Sequence, residues 1–213
     1  MRGFGRIYQG HFDFQSKRVR EWTRDSIPTY AYYSPIILGD SLQDNQGFSA
    51  NWMYLYPFIV HRTRKFDYIA AYKSASAAGT YYFRLGVYND TGDVWPKEPI
   101  LETADITMNI PSGLTDVALS PPLHLSAGRL YWAVMYAQNS TGIFRGMDYS
   151  KSGYSNHLLG ADSIHTARAN CIWYGVQAWN PFPNPFPAYA GAPYGPLWAS
   201  SDFPLIMFRW YGP

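Results

Sequence analysis

Cysteine is almost absent from this chain of 213 residues, since Cys171 is the only one. A single cysteine cannot form an intrachain disulfide, and proteins without disulfides are typical of intracellular folding. The N-terminus also lacks an apolar run behind its arginines, so the sequence predicts no secretory signal peptide. Both absences favour folding in a cytoplasm over export.

Charge is scarce as well. Charged residues make up 15% of the chain, and the formal net charge is only +2. This balance lacks the basic surplus with which proteins attract nucleic-acid phosphates. No charged side chain occurs between 169 and 201, but prolines interrupt that stretch at Pro181, Pro183, Pro185, Pro187, Pro193 and Pro196. The low net charge leads us to expect no nucleic-acid binding. Because so many prolines are incompatible with a lipid-facing helix, we also expect no membrane insertion.

The usual signatures of catalysis are missing too. The histidines His11, His61, His124, His157 and His165 show no metal-ligand spacing. No serine lies in a Gly-x-Ser-x-Gly elbow, and no glycine-rich turn joins a strand to a helix. Acids are sparse after Asp116, so nothing indicates the pair of carboxylates that glycoside hydrolysis needs. The sequence therefore predicts no catalytic residues and a protein that is not an enzyme.

Aromatic residues, in contrast, are abundant at 18% of the chain. From residue 52 onward they alternate with other side chains in short runs separated by Gly, Pro, Asn or Ser. The predicted strands are 53–60, 65–73, 80–88, 104–110, 114–119, 129–138, 171–177 and 203–210. Many closely spaced strands without a helical period predict an all-β fold, a jelly-roll-like β-sandwich.

The predicted strand 129–138 is apolar on both faces. Leu130, Trp132 and Val134 point to one side, while Tyr131 and Ala133 point to the other. A strand with two apolar faces is typical of a position that is covered on both sides. We therefore expect one face against the opposite sheet and the other against a loop or a neighbouring subunit.

Two regions flank the regular strands or interrupt them. Residues 1–50 show no compact core pattern, so they predict an extended arm with short strands that anchors the domain 51–213 to another subunit. Within that domain, 179–198 has Pro-x-Pro spacing, which forces an extended, polyproline-like course. Such a segment either lies on a surface that it covers or presents its rings to a partner.

The aromatic rings of the segment 179–198 are candidate ligand-binding residues. Trp179, Tyr189, Tyr194 and Trp198 have the flat faces on which sugar rings stack. The alternative is that the same rings are buried in a contact between subunits. Both interpretations are compatible with the sequence.

A cluster of oxygen-bearing side chains follows the predicted strand 80–88. Asn89, Asp90, Thr91 and Asp93 surround Gly92, and converging oxygens are what a hard cation needs. The spacing does not match an EF-hand loop, and Asn, Asp and Gly also favour a simple chain reversal. We interpret the cluster as a turn, with a structural cation at Asn89, Asp90 and Asp93 as the only cofactor that the sequence suggests.

The stretch from about 55 to 137 resembles a β-sandwich domain that recurs in structural proteins of tailed bacteriophages. The shared elements are Tyr56-Pro57-Phe58, Phe66-Asp67-Tyr68-Ile69, Arg84-Leu85-Gly86-Val87-Tyr88-Asn89-Asp90, Pro99-Ile100-Leu101 and Leu125-Ser126-Ala127-Gly128-Arg129-Leu130-Tyr131-Trp132. Trp95-Pro96-Lys97-Glu98 departs from the resemblance, because a simpler Gly-Pro turn is expected there.

The resemblance implies a non-enzymatic virion protein, in a tail appendage such as a fibre or baseplate, or on the capsid. It also implies a homo-oligomer, with a trimer as the expected form and the N-terminal arm in contact with other virion proteins. The protein is then expected in the virion after folding in the host cytoplasm. The alternative function is a carbohydrate-binding module that recognises a host-surface glycan by aromatic stacking.

Overall fold

The computed structural model describes residues 32–33, 42–47, 49–60, 63–75, 79–92, 95–109, 111–140, 143–148, 171–175, 178–187, 197–199 and 202–210. These residues form strands and connections, and none of them is helical. The strands, in chain order, are β1 Tyr32–Tyr33, β2 Leu42–Gly47, β3 Trp52–Ile59, β4 Arg64–Ala75, β5 Tyr82–Asp90, β6 Pro96–Glu102, β7 Ile106–Thr107, β8 Gly113–Leu125, β9 Leu130–Ala137, β10 Ile143–Asp148, β11 Cys171–Gly175, β12 Leu197–Ala199, β13 Asp202–Pro204 and β14 Ile206–Trp210. The prediction of an all-β fold is confirmed for this part of the chain.

The strands form two antiparallel sheets, which curl in a half-barrel arrangement. The first sheet has the order β1-β14-β4-β10-β13, with β2 paired to β10 and β8 paired to β4. The second sheet has the order β12-β11-β3-β9-β5-β6, with β7 paired to β5. Among the described strands, β8 is therefore at an edge of the first sheet and β6 at an edge of the second.

Residues from both sheets share one hydrophobic core. Phe58 of β3 lies 5.6 Å from Phe208 of β14 between ring centroids, and Phe83 of β5 lies 4.9 Å from Phe144 of β10. All four rings are at most 1% exposed. Their alternation along the strands brings every second side chain to this core, which is why the apolar period of two in the sequence predicts these strands well.

A second core lies on the other face of the second sheet. It is built from the alternate side chains of β3, β5 and β9, namely Met53, Leu55, Tyr88, Trp132, Val134 and Tyr136, together with Phe182 and Phe186. The two phenylalanines belong to residues 178–187, which we call the strap. Every residue from Tyr131 to Ala137 in β9 is buried as a result. The prediction that this strand is covered on both sides is confirmed, and the cover on the outer face is the chain's own strap.

Several predicted strands match the structure closely. Those at 53–60, 65–73, 80–88 and 129–138 agree with β3, β4, β5 and β9 to within two residues at each end. The predicted strand 203–210 is divided between β13 and β14. The predicted strand 104–110 is described up to residue 109, and within that part only Ile106–Thr107 forms a strand, paired with β5.

The two edge strands correct the prediction. A turn is expected at Trp95-Pro96-Lys97-Glu98, but β6 begins at Pro96 and pairs with β5. The predicted strand 114–119 is part of the longer β8, which continues through Pro121 and Pro122. Proline lacks the N–H that a central strand must donate on one side, and it is tolerated at an edge because no neighbour needs that donor. At these positions proline suggests a turn from the local sequence, whereas the chain forms an edge strand.

Part of the predicted N-terminal arm pairs with the first sheet. Tyr32–Tyr33 pairs with β14, and Leu42–Gly47 pairs with β10. Residues 1–31 lie outside the described residues, so the anchoring role of the arm stays a prediction. Within the described part of the chain, there is no helix of sufficient length and hydrophobicity to cross a membrane.

Candidate functional site

The strap is held on the second sheet by side chains that donate to its carbonyl groups. Tyr136 Oη donates to the Ala178 carbonyl at 2.7 Å, and Tyr88 Oη donates to the Pro183 carbonyl at 2.9 Å. Trp95 Nε1 donates to the Pro187 carbonyl at 3.1 Å. Because proline has no N–H, a segment this rich in proline cannot pair as a regular strand, and these aromatic donors satisfy its carbonyls instead.

Two amides of the strap also find acceptors. The Phe182 N–H donates to Glu102 Oε2 at 3.1 Å, and the Phe186 N–H donates to the Lys97 carbonyl at 2.7 Å. Both acceptors lie on β6. The strap is therefore attached to the edge of the sheet as well as to its outer face.

The two phenylalanines of the strap fix its position by packing. Phe182 is 4% exposed and stacks on Tyr88 with 5.8 Å between centroids, while Phe186 is 5% exposed and meets the same ring edge-on at 5.4 Å. A Cβ atom on Gly86 would overlap the Phe182 ring and the Leu101 carbonyl oxygen. Gly86 is thus the residue that leaves room for Phe182 to reach the sheet.

Trp179, the first predicted sugar-stacking residue, lies at the start of the strap. Its ring is 4.3 Å from the Tyr136 ring and 4.8 Å from Arg84 Cζ, and its Nε1 donates to Asp105 Oδ2 at 3.3 Å. Tyr136 and Arg84 are register neighbours on β9 and β5, so they form one surface beneath the indole. The ring is half-buried and held in one orientation by three separate contacts.

Arg84 organises the charge beside Trp179. Its guanidinium bonds to Glu102 Oε1 at 2.7 Å and to Asp105 Oδ1 at 2.5 Å, and it also donates to the Asn180 carbonyl at 3.1 Å. Burial alone would lower the pKa of Arg84, but the hydrogen bonds to Asp105 and Glu102 outweigh burial and raise its pKa above the ordinary value. The Trp179 cluster, defined as Trp179, Arg84, Glu102, Asp105 and Tyr136, therefore combines an aromatic ring with fixed hydrogen-bonding groups.

For the other predicted sugar-stacking residues, the structure describes only the backbone of Trp198. Trp198 lies in β12, and its backbone pairs with Ile172 of β11. Tyr189 and Tyr194 lie outside the described residues. A single platform of four rings stays a prediction.

The oxygen-rich turn after β5 is built around Asp90. Asp90 Oδ2 accepts from the Gly92 N–H at 2.7 Å, and Asp90 Oδ1 accepts from Trp132 Nε1 at 2.9 Å. Gly92 has φ of +101°, which explains glycine at this point of the turn. Both carboxylate oxygens of Asp90 thus have donors within the protein. Asp93 lies outside the described residues, and within them no group of three or more His, Cys, Asp or Glu side chains is placed to hold a metal ion.

Arg84, Glu102 and Asp105 are site residues that the sequence patterns did not identify. One signal for Arg84 was present, because it is the only charged residue in the aromatic and apolar run Tyr81–Tyr88. A lone arginine on a face that is otherwise covered needs acidic partners nearby. The identity of those partners depends on β6 and the residues after it, a region whose start is predicted as a turn.

The comparisons with known proteins do not assign a family. No protein-family model matches the chain, and no curated protein matches it significantly. Fold and geometry therefore carry what can be inferred about function.

Proposed function

We propose that this chain is a non-enzymatic structural protein of a tailed-phage virion, built as a jelly-roll-like β-sandwich and located in a tail appendage or on the capsid. The observation that carries this proposal is the double core around β9. Seven consecutive buried residues, Tyr131–Ala137, are packed between the shared core and the strap. Packing on both faces makes a stiff module, which suits a part that must keep its shape in a particle.

The phage resemblance supports the same proposal. The stretch that carries it, about 55 to 137, includes most of β3 and all of β4 to β9, the strands that supply most of both cores. In the proposed assembly the chain is a homotrimer, and the residues 1–50 contact other virion proteins. Subunits related by rotational symmetry repeat the same contact surface around the axis.

The oligomeric state tests this proposal. We expect the purified chain to sediment as a trimer, at three times the chain mass of 24.3 kDa, or as a larger assembly. In phage lysates, antibodies against the chain are expected to label purified particles. A monodisperse monomer that is absent from virions would contradict the proposal.

A second function, recognition of a host-surface glycan, is favoured by the Trp179 cluster. The contacts to Tyr136, Arg84 and Asp105 already fix the orientation of the indole. The ring therefore loses little conformational freedom when a sugar ring stacks on it. Asp105 has a side-chain exposure of 38% and can accept from a sugar hydroxyl. This function is compatible with a structural role, because a receptor-binding fibre performs both.

Removal of the indole tests glycan recognition. We expect Trp179→Ala to weaken binding to the glycans retained on an array by about ten-fold, equivalent to ~1.4 kcal/mol. Trp179→Phe keeps a flat ring and is expected to keep part of the affinity. Thermal unfolding of both variants controls for loss of the strap, and a blank array for the wild-type chain would count against this function.

A further inference from the structure

The edge strands β6 and β8 face each other across a cleft of about 610 Å³. Its walls include Leu101 and Thr103 from the first edge, Leu119 and Pro122 from the second, and Tyr131 from β9. A cleft of this size is in the range that binds small molecules or a few sugar units, roughly 300–1,000 Å³. It is separate from the Trp179 cluster except for Glu102, which contributes to both.

One end of the cleft is basic. Arg129 and His124 line it, and Lys65 of β4 lies directly opposite His124 in the register of β8. Residues directly opposite in an antiparallel pair have Cβ atoms about 5 Å apart, so Lys65 and His124 are neighbours. All three side chains are exposed, and no ion pair or hydrogen bond of these side chains is found among the described residues.

This basic end is fixed by contacts between two turns. The Gly128 N–H donates to the Val60 carbonyl at 2.8 Å, and the Ala127 N–H donates to Thr63 Oγ1 at 3.0 Å. These bonds hold the turn that carries Arg129 against the start of β4. Neither 63–65 nor 124–129 contains an acidic residue, so nothing in either segment neutralises the basic groups.

Among the described residues that line the cleft there is one acid, and it is already compensated. Glu102 bonds to Arg84 through Oε1 and accepts from the Phe182 N–H through Oε2. The cleft, as far as the described residues define it, therefore has a neutralised carboxylate in its wall and uncompensated basic side chains at its end. This asymmetry favours a ligand that carries a negative charge at one position.

We propose that the cleft between β6 and β8 binds a saccharide that bears a carboxylate, with the carboxylate at Arg129 and His124. Arginine donates to a carboxylate through two parallel N–H groups, which gives both affinity and orientation. Neutral polar groups along the walls suit the sugar hydroxyls. Asn89 supplies an amide, and Thr103 Oγ1, which accepts from the Leu85 N–H, keeps its hydroxyl proton for donation.

A nucleic acid fits these observations less well than an acidic sugar. The uncompensated basic side chains are confined to one end of the cleft, whereas a nucleic-acid strand needs a basic track along its phosphates. The net charge of +2 offers no such track. This inference does not depend on the virion assignment or on sugar stacking at Trp179.

Calorimetric titration of the full chain with short acidic oligosaccharides tests the site. The probes are oligogalacturonate, oligomannuronate and a sialylated lactose, each compared with its methyl ester, which has the same shape without the charge. We expect at least one acid to bind, its ester to bind at least about ten-fold more weakly, and the affinity to fall as salt is added.

Variants locate the binding within the chain. Arg129→Gln is expected to weaken binding about ten-fold or more, because a charge-assisted hydrogen bond is lost, and His124→Gln to weaken it less. Lys97→Gln removes the same charge from an exposed position on β6 outside the cleft and is expected to leave the affinity unchanged. The proposal is overturned if none of the acids binds at millimolar concentration, if acid and ester bind equally, or if Lys97→Gln weakens binding as much as Arg129→Gln. Tighter binding of a single-stranded oligonucleotide than of every acid would also overturn it.

Discussion

Gly86→Ala is expected to destabilise the protein by roughly 3 kcal/mol, at the upper end of the cost of overpacking a core. The new methyl group would overlap the Phe182 ring on one side and the Leu101 carbonyl oxygen on the other. The ring can withdraw only if the strap shifts, and the carbonyl can withdraw only if β6 shifts. Thermal or urea unfolding measures the loss, and tryptophan fluorescence reports whether the strap has moved from Trp95.

Gly92→Ala is the matched control for this prediction. Gly92 has φ of +101°, but no atom lies within 4 Å of the point that a Cβ would occupy, so alanine there meets backbone strain and no overlap. That strain is worth about 1–2 kcal/mol. If Gly86→Ala lowers the free energy of unfolding by no more than Gly92→Ala does, then the fit of Phe182 against Gly86 does not limit the stability of the fold.

Alkaline pH is expected to produce the second large effect, through the three tyrosines whose pKa burial raises, Tyr88, Tyr136 and Tyr174. Burial, together with the negative charge of Glu102, raises the pKa of Tyr88, and burial raises the pKa of Tyr136. Both side chains are fully buried, and both hydroxyls donate to the strap. In the unfolded chain these phenols ionise near pH 10.0, whereas in the folded chain they stay protonated to higher pH.

The sign of the effect follows from proton binding. Below pH 10.0 both states hold the phenol protons, so the full stability is present. Above it the unfolded state releases them first, and stability falls by about 1.4 kcal/mol per pH unit for each tyrosine until the folded pKa is reached. Lys73 acts in the opposite sense, because burial lowers its pKa, but its contribution ends at the unfolded value of 10.5.

Urea unfolding across the alkaline range measures this slope. Tyr88→Phe removes one of the three tyrosines whose pKa burial raises, so its stability is expected to fall about two-thirds as steeply with pH in that range. At neutral pH the same variant loses the hydrogen bond to the Pro183 carbonyl, at a cost of about 1–3 kcal/mol. Equal slopes for Tyr88→Phe and the wild-type chain would show that Tyr88 is not linked to folding.

The central strands could be predicted from the sequence because their pattern is local. Alternation along β3, β5 and β9 indicates which side chains face the shared core. The second apolar face of β9 indicates that the outer face of this strand is also covered. The edge strands were predicted only in part, because 114–119 lies within β8 but the rest of β8 and all of β6 were not predicted as strands. By any local criterion, the prolines in β6 and β8 indicate a turn. They are compatible with a strand because, among the described strands, β6 and β8 each have a neighbour on one side only.

Of the Trp179 cluster, the sequence predicted only Trp179 as a site residue. Trp179 was recognisable as a ring in a segment that cannot pair regularly, but Arg84 and Asp105 are far from it in sequence and meet it only because the strap crosses β5. The identity of the cover over β9 was open for the same reason. The strand beneath needs the same apolar outer face whether a strap or a neighbouring subunit covers it.

The prolines in β6 and β8 also bear on how copies of this chain can associate. A sheet grows by adding a strand to an edge that offers a continuous row of N–H and C=O groups. Pro96 and Pro99 interrupt that row in β6, and Pro121 and Pro122 interrupt it in β8. A neighbouring copy cannot extend either sheet in an unbroken ladder past these positions. At these prolines an added strand finds no N–H to pair with, which acts against open-ended, fibre-like polymerisation through the two edges.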